Sequence, residues 1–158
     1  MLNINKKLME KTKKWILSKR INKPINVTLT EKQSFNGIKL DNIISEQNFR
    51  HFKNVLNKKI FGNSYKRFNK QLQMLVVREE SPNLRHHLHL IIEQPNRYTF
   101  YEFKKLIEIL WTKTDFGYSK VHIEKPTDLN REIAWYYYIM KSNCENSIDW
   151  NNTVLHRL

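Results

Sequence analysis

Two apolar runs on either side of a short turn constrain this chain more than any other feature. They are "KQLQMLVVREE" (70–80), "SPN" and "HHLHLIIEQ" (86–94). Each is of strand length, and a Pro-Asn turn between them predicts a β-hairpin. The flanking stretches change period. "INVTLTEK" (25–32) alternates Val27 and Leu29 with Thr28 and Thr30, a period-2 strand. Residues 45–60 space Phe49, Phe52, Leu56 and Ile60 by three and four, which predicts a helix with Ser45 as its N-cap. Residues 99–113 read as an amphipathic helix with Phe103 and Trp111 in core register. Residues 118–125 read as a strand ended by Pro126, and 127–141 as a helix capped by Thr127 or Asp128. Ahead of all these, residues 5–20 form a basic helix with Leu8, Trp15 and Ile16 on or near one side, closed off by Pro24. The tail from Ser142 carries no assignable pattern.

The middle elements run β-α-β-β-α-β, with one more helix after them. That order predicts an α+β domain with a ferredoxin-like or RRM-like antiparallel sheet. Two helices cover one face, and the final, tyrosine-bearing helix packs on the other. One domain is expected over 1–158: a basic N-terminal helix (1–22), a core (25–142) and a tail (143–158).

Charge narrows the partner. Lys and Arg number 28 against 15 Asp and Glu, a net charge of +13. A compact domain with that excess attracts polyanions, of which nucleic acid is the commonest large one. A merely soluble basic protein, or one resting on anionic lipid, is the plainer alternative. No uninterrupted apolar run is long enough for a membrane span, and residues 1–20 lack the apolar core of a signal peptide. One cysteine, Cys144, allows no internal disulfide and suits a reducing, intracellular setting. No GxxxxGK[ST] run occurs, so a P-loop motor is not encoded.

Three histidines crowd the start of the second hairpin strand. Successive strand residues point to opposite faces, so His87 and His89 lie with Ile91, and His86 with Leu88 and Leu90. Imidazoles at i and i+2 on a strand make half of a divalent metal site, and the partner strand offers Glu79 and Glu80 as a third ligand. Two histidines and a carboxylate leave positions open for substrate oxygen, as catalysis needs. Alone, His-x-His is as compatible with a wet strand end. His122 and Glu124 share a strand face and read as a solvated strand end; His51 and His156 read as surface residues.

"HLHLII" with an acidic residue upstream resembles the HUH motif of replication-initiator endonucleases of rolling-circle plasmids and small single-stranded DNA viruses. "VTLT" (27–30) resembles that family's first motif, and "YIMK" (138–141) its Tyr-x-x-Lys motif, in the family's order over about residues 25–142. The resemblance implies His87, His89 and Glu79 as metal ligands, Tyr138 as nucleophile and Lys141 as its lysine. It implies DNA contacts from Thr28 and Thr30. "RE" before the turn resembles the family's acidic position better at Glu79 than at Glu80.

The helix carries three consecutive tyrosines. A helical wheel puts Tyr136 in an apolar arc with Leu129, Ile133, Trp135, Ile139 and Met140, while Tyr137 and Tyr138 flank that arc. Spacing to Lys141 favours Tyr138 by resemblance, with Tyr137 within reach. The family's chemistry implies Mg²⁺- or Mn²⁺-dependent nicking and joining of single-stranded DNA through a 5′-phosphotyrosine, at a replication origin. It also implies cooperation with a host helicase and polymerase, in a prokaryotic cytoplasm or a eukaryotic host nucleus. Single-tyrosine HUH transposases share the motif order, but commonly carry glutamine where this chain has Lys141. A non-catalytic RRM-like module shares the fold pattern, although no RNP-like aromatic run is present.

Overall fold

The computed structural model describes residues 2–80, 85–141 and 147–156. The expected turn at 81–83 and Cys144 lie outside the described residues. The elements, in order, are α1 (Leu2–Ser18), β1 (Pro24–Glu31), β2 (Ser34–Phe35), β3 (Ile38–Lys39), α2 (Asn42–Phe61), α3 (Asn63–Phe68), β4 (Met74–Glu79), β5 (His87–Glu93), α4 (Phe100–Thr112), β6 (Gly117–Glu124) and α5 (Leu129–Ile139).

Four strands form one sheet in the order β4-β5-β1-β6, with every neighbouring pair antiparallel. The pleat sorts their side chains into two cores. Ile25, Val27 and Leu29 of β1, with Leu88, Leu90 and Ile92 of β5, pack against Phe49, Phe52, Leu56 and Ile60 of α2. Phe103, Ile107 and Trp111 of α4 complete that core. On the opposite face Leu75, Val77 and Ile91 pack against Ile16 of α1 and against Tyr136 and Ile139 of α5. The fold is therefore α+β, with α2 and α4 on one face and α5 on the other. Burying each of these large side chains contributes roughly 1.5–3 kcal/mol, so both faces hold the sheet.

Several local expectations are corrected. The N-cap of α2 is Asp41, whose carboxylate accepts from the Ile44 N–H at 2.7 Å. Ser45 is instead inside the helix and buried, its hydroxyl donating to Glu31 at 2.8 Å. The strand expected over 70–80 begins at Met74. The last helix ends at Ile139, with Asp128 as its N-cap, so Lys141 lies just beyond it. Among the described side chains of α1 only Ile16 is buried, Leu8 and Trp15 being about half exposed, and the helix ends at Ser18 while Pro24 opens β1. Leu129, placed in the apolar arc of α5, is also half exposed.

Three features were not anticipated. Asn36 and Gly37, both at positive φ (48° and 77°), turn the β2–β3 ribbon as a tight Asn-Gly hairpin does. The short helix α3 follows α2. Residues of the tail bridge the outer edge of β4, Ile148 to Val77 and Val154 to Met74, so that edge is covered. No helix among the described residues is long and apolar enough to cross a membrane.

Candidate functional site

The site is built on β5 between its two antiparallel neighbours. Register places Glu79 of β4 and Thr30 of β1 opposite His87, and Val77 and Thr28 opposite His89. Directly paired residues share a face, so Glu79, His87, His89, Thr28 and Thr30 all project on the side that α5 crosses. The histidine rings lie nearly parallel, 17° apart, with centroids at 6.4 Å. His89 is buried and His87 partly so. Glu80 falls beyond the end of β4 and is exposed.

Glu79 reaches diagonally across the pair. Its Oε2 is 2.6 Å from His89 Nε2, and its Oε1 is 3.2 Å from Lys141 Nζ. The His89 hydrogen bond, helped by Lys141, holds the Glu79 carboxyl below its usual range, so the group stays ionised. The hydrogen bond from Lys141 to Glu79 in turn raises the lysine, which stays an ammonium. Burial lowers His87, followed by the charge of neighbouring His89, and keeps its imidazole neutral.

On the other side of His89, Nδ1 is 3.1 Å from Thr28 Oγ1. A hydroxyl both donates and accepts, so Thr28 supports either His89 tautomer. Thr30 is buried and its carbonyl accepts from Trp111 Nε1 at 3.1 Å, which anchors β1 to α4. Thr28 thus faces His89 and Thr30 is enclosed; neither hydroxyl stands out on the open surface.

Above the sheet, Trp135, Tyr138 and Lys141 recur every third residue and therefore line one stripe. Trp135 and Tyr138 stack with centroids at 5.2 Å, and each meets the His89 ring edge-on at 5.9 Å. Lys141 Nζ lies 4.2 Å over the Tyr138 ring. Tyr138 is 46 % exposed, leaving its ring open to solvent on one side. Tyr136, by contrast, is fully buried; its hydroxyl accepts from the Ile21 N–H at 3.0 Å, and burial raises its pKa. Tyr137 is 52 % exposed and takes no part in the stack on His89.

Glu79, His89, Tyr138 and Lys141 are thus in contact with one another, and the His87 ring lies beside that of His89 on the same face without closing on Glu79. His122 lies on β6 opposite Thr28, on the same face, and its exposed ring is 3.4 Å from the Glu124 carboxylate. Sequence reasoning placed Trp135 in the apolar arc of the helix, and it does pack half-buried against that core; its stack on Tyr138 was not anticipated. The three-residue spacing was the available signal. Also missed were Arg85, whose guanidinium lies 4.2 Å over the Tyr118 ring, and Lys120, close enough to lower His87.

Among the described residues, no three His, Cys, Asp or Glu side chains are gathered at metal-holding distance. The donor types nonetheless suit a divalent ion: the ionised carboxylate favours Mg²⁺ or Mn²⁺, and the two imidazoles, one held neutral, tilt the set toward Mn²⁺. The Glu79–His89 contact at 2.6 Å is a closed hydrogen bond. For Glu79 and His89 to hold one ion this hydrogen bond would have to open and the proton on Nε2 move to Nδ1, a change that Thr28 accommodates.

No family model matches the chain, and neither a curated protein nor a solved structure is significantly similar to it.

Proposed function

We propose that this chain is a metal-dependent endonuclease and strand transferase of the HUH type. In this reading it nicks and rejoins single-stranded DNA through a tyrosine ester, and does so at a replication origin. The observation that carries the reading is the contact of Glu79 and His89 with Tyr138 and Lys141, drawn from two strands and one helix end, with the His87 ring beside His89 on the same face. A ferredoxin-like sheet is the frame this function calls for, and the strand order β4-β5-β1-β6 with a helix across the histidine face is consistent with it.

Mg²⁺ or Mn²⁺ held by Glu79, His87 and His89 would supply Lewis-acid polarisation of the scissile phosphate. The remaining chemistry falls to the chain's own groups. Tyrosine titrates near ~10 in water, so the Tyr138 phenol must lose its proton as it attacks phosphorus. The Lys141 ammonium, over that ring, stabilises the developing phenolate and phosphorane charge. The Tyr138 oxygen forms a bond to phosphorus, the 3′-oxygen leaves with its electron pair and takes a proton, and the 5′-phosphate remains on the enzyme. The free 3′-hydroxyl can prime a polymerase, and a host helicase would extend the single strand. Because the ester conserves the bond energy, a second 3′-hydroxyl can displace Tyr138 and reseal DNA.

Cationic side chains favour a polyanionic strand: Lys120 is close enough to His87 to act on it, and Lys125 and Arg131 line the cleft beside Tyr138. Incubation of the protein with a pool of single-stranded oligonucleotides and Mn²⁺, followed by mass spectrometry of adducts, tests the reading. A phosphodiester on Tyr138 supports it. Binding with no adduct under any divalent ion points instead to an RRM-like binding module.

A further inference from the structure

Asn26 is a polar residue in the middle of β1, only 3 % exposed, and its Oδ1 is buried with no hydrogen-bond partner. Native interiors rarely leave such an atom unmet, because its desolvation is uncompensated. Asn26 lies one pleat step from Thr28, on the same face, paired with Ile91 on one side and Glu124 on the other. It contributes to the lining of a cleft of about 380 Å³ whose other sides include Glu124, Lys125, Arg131, Trp135 and Tyr138. The cleft is therefore contiguous with the proposed nucleophile.

Its lining has three chemistries. Trp135 and Tyr138 present aromatic surface to a flat ring. Lys125 and Arg131 supply positive charge for a phosphate. The Asn26 amide and Glu124 carboxylate can meet a hydrogen-bonding edge. Tyr138 and the Glu124 side chain, which line the same cleft as Asn26, are about half exposed. An asparagine amide pairs in two-point fashion with the N6 amino group and N7 of adenine. A carboxylate accepts from an exocyclic amine and is repelled by the carbonyl oxygens that thymine presents.

We propose that this cleft takes one base of the bound strand, an adenine, and so sets which nucleotide lies beside the bond joined to Tyr138. The proposal rests on the single-stranded DNA reading above, and deepens it by naming a base-specific subsite.

The test is fluorescence anisotropy of the whole chain with labelled dA10 and dT10 in EDTA, so that no cleavage intervenes. Wild type should bind dA10 about tenfold more tightly than dT10, within the range of one two-point amide–adenine contact. Asn26→Ala should bring the ratio close to one through weaker dA10 binding. Thermal melting should show Asn26→Ala folded and no less stable than wild type, since the truncation removes an unpaired buried atom. Should that variant fail to fold, side-chain amide NMR of wild type replaces it: the Asn26 NH₂ signals should move with deoxyadenosine monophosphate and not with deoxythymidine monophosphate. Equal affinities in wild type, a preference surviving Asn26→Ala, or no adenine-dependent amide shift would overturn the proposal. Adenine preference without any Tyr138 adduct would keep the cleft and remove the nuclease. An adduct without base preference would remove the cleft alone.

Discussion

Tyr136 and Tyr138 are two residues apart on α5 and meet opposite environments, so the same substitution should have different consequences. Tyr138→Phe removes one hydroxyl from a half-exposed ring whose packing on Trp135 and His89 uses only the ring faces and edges. Folding and binding should persist, while adduct formation and cleavage fall at least about 1,000-fold, as expected when a covalent nucleophile is lost. Tyr136→Phe should leave the chemistry intact and cost about 1 kcal/mol, because the buried Ile21 N–H loses its acceptor. An adduct that survives Tyr138→Phe but not Tyr137→Phe would transfer the role to the neighbouring tyrosine. A second residue-scale consequence concerns Glu31, buried at the end of β1 with the Ser45 hydroxyl on Oε2 and no partner on Oε1. Burial raises its pKa from 4.5 to about 7, against the opposing Ser45 bond. The folded state thus holds this proton more tightly than the unfolded chain. Its stabilising contribution is complete below about pH 4.5 and is lost as pH rises through about 7. At roughly 1.4 kcal/mol per pH unit, the difference is on the order of 3 kcal/mol. Glu31→Gln, which still accepts from Ser45, should melt well above wild type at pH 8 and close to it at pH 4. Equal gains at both pH values would refute the titration account.

At the scale of elements, the hairpin register carries the argument. His87→Ala and His89→Ala should each reduce metal-dependent cleavage at least about 100-fold, whereas His86→Ala, on the opposite pleat from them, should retain most of it. Comparable damage from all three would sink the pleat assignment, and undiminished cleavage in EDTA would sink the metal requirement. Which histidines share a face was legible in the sequence, because strand period alone separates His87 and His89 from Leu88 and Leu90, and the Glu79–His87 pairing agrees with a hairpin of two adjacent strands. Phe49 to Ile60 likewise declared the buried face of α2. What could not be read depends on contacts distant in sequence. Ser45 has cap chemistry, yet its hydroxyl serves Glu31, fourteen residues away, and Asp41 takes the cap. Ile148 and Val154 have no strand pattern of their own and become ordered partners only beside the β4 edge. Asn26 looked like any polar residue of an alternating strand, and its missing partner is visible only once its surroundings are assembled. Gly117 is another case: an added Cβ would lie 1.9 Å from the Trp111 carbonyl oxygen, where α4 closes onto β6. Gly117→Ala should therefore cost more than about 2 kcal/mol by overpacking against backbone, read as a lower denaturation midpoint.

For the whole molecule, the net charge of +13 and the geometry of the histidine face make a joint prediction about substrate form. If the proposed function holds, a scissile phosphate has to come to the open side of Tyr138, next to the Glu79–His89 pair. A single strand, or a strand extruded in a hairpin, can bring an unpaired nucleotide there; a relaxed duplex is wide and keeps its bases paired. The chain carries no P-loop with which to melt DNA itself, so ATP should change nothing. Four cations border the site: Lys120, Lys125, Arg131 and Lys141. Each contacted phosphate of a single strand releases about 0.7 of a counterion, so four contacts give a slope of about −2.8 for log K against log salt. Measured on one oligonucleotide between 50 and 200 mM salt, affinity should then fall roughly 50-fold. Replacing Lys125 and Arg131 together by Ala should flatten the slope by about 1.4, as loss of two phosphate contacts requires. A slope near zero would mean that the basic surface does not hold the strand. An unchanged slope in the double variant would move the phosphate path away from the cleft beside Tyr138 and toward the lysine-rich helix α1.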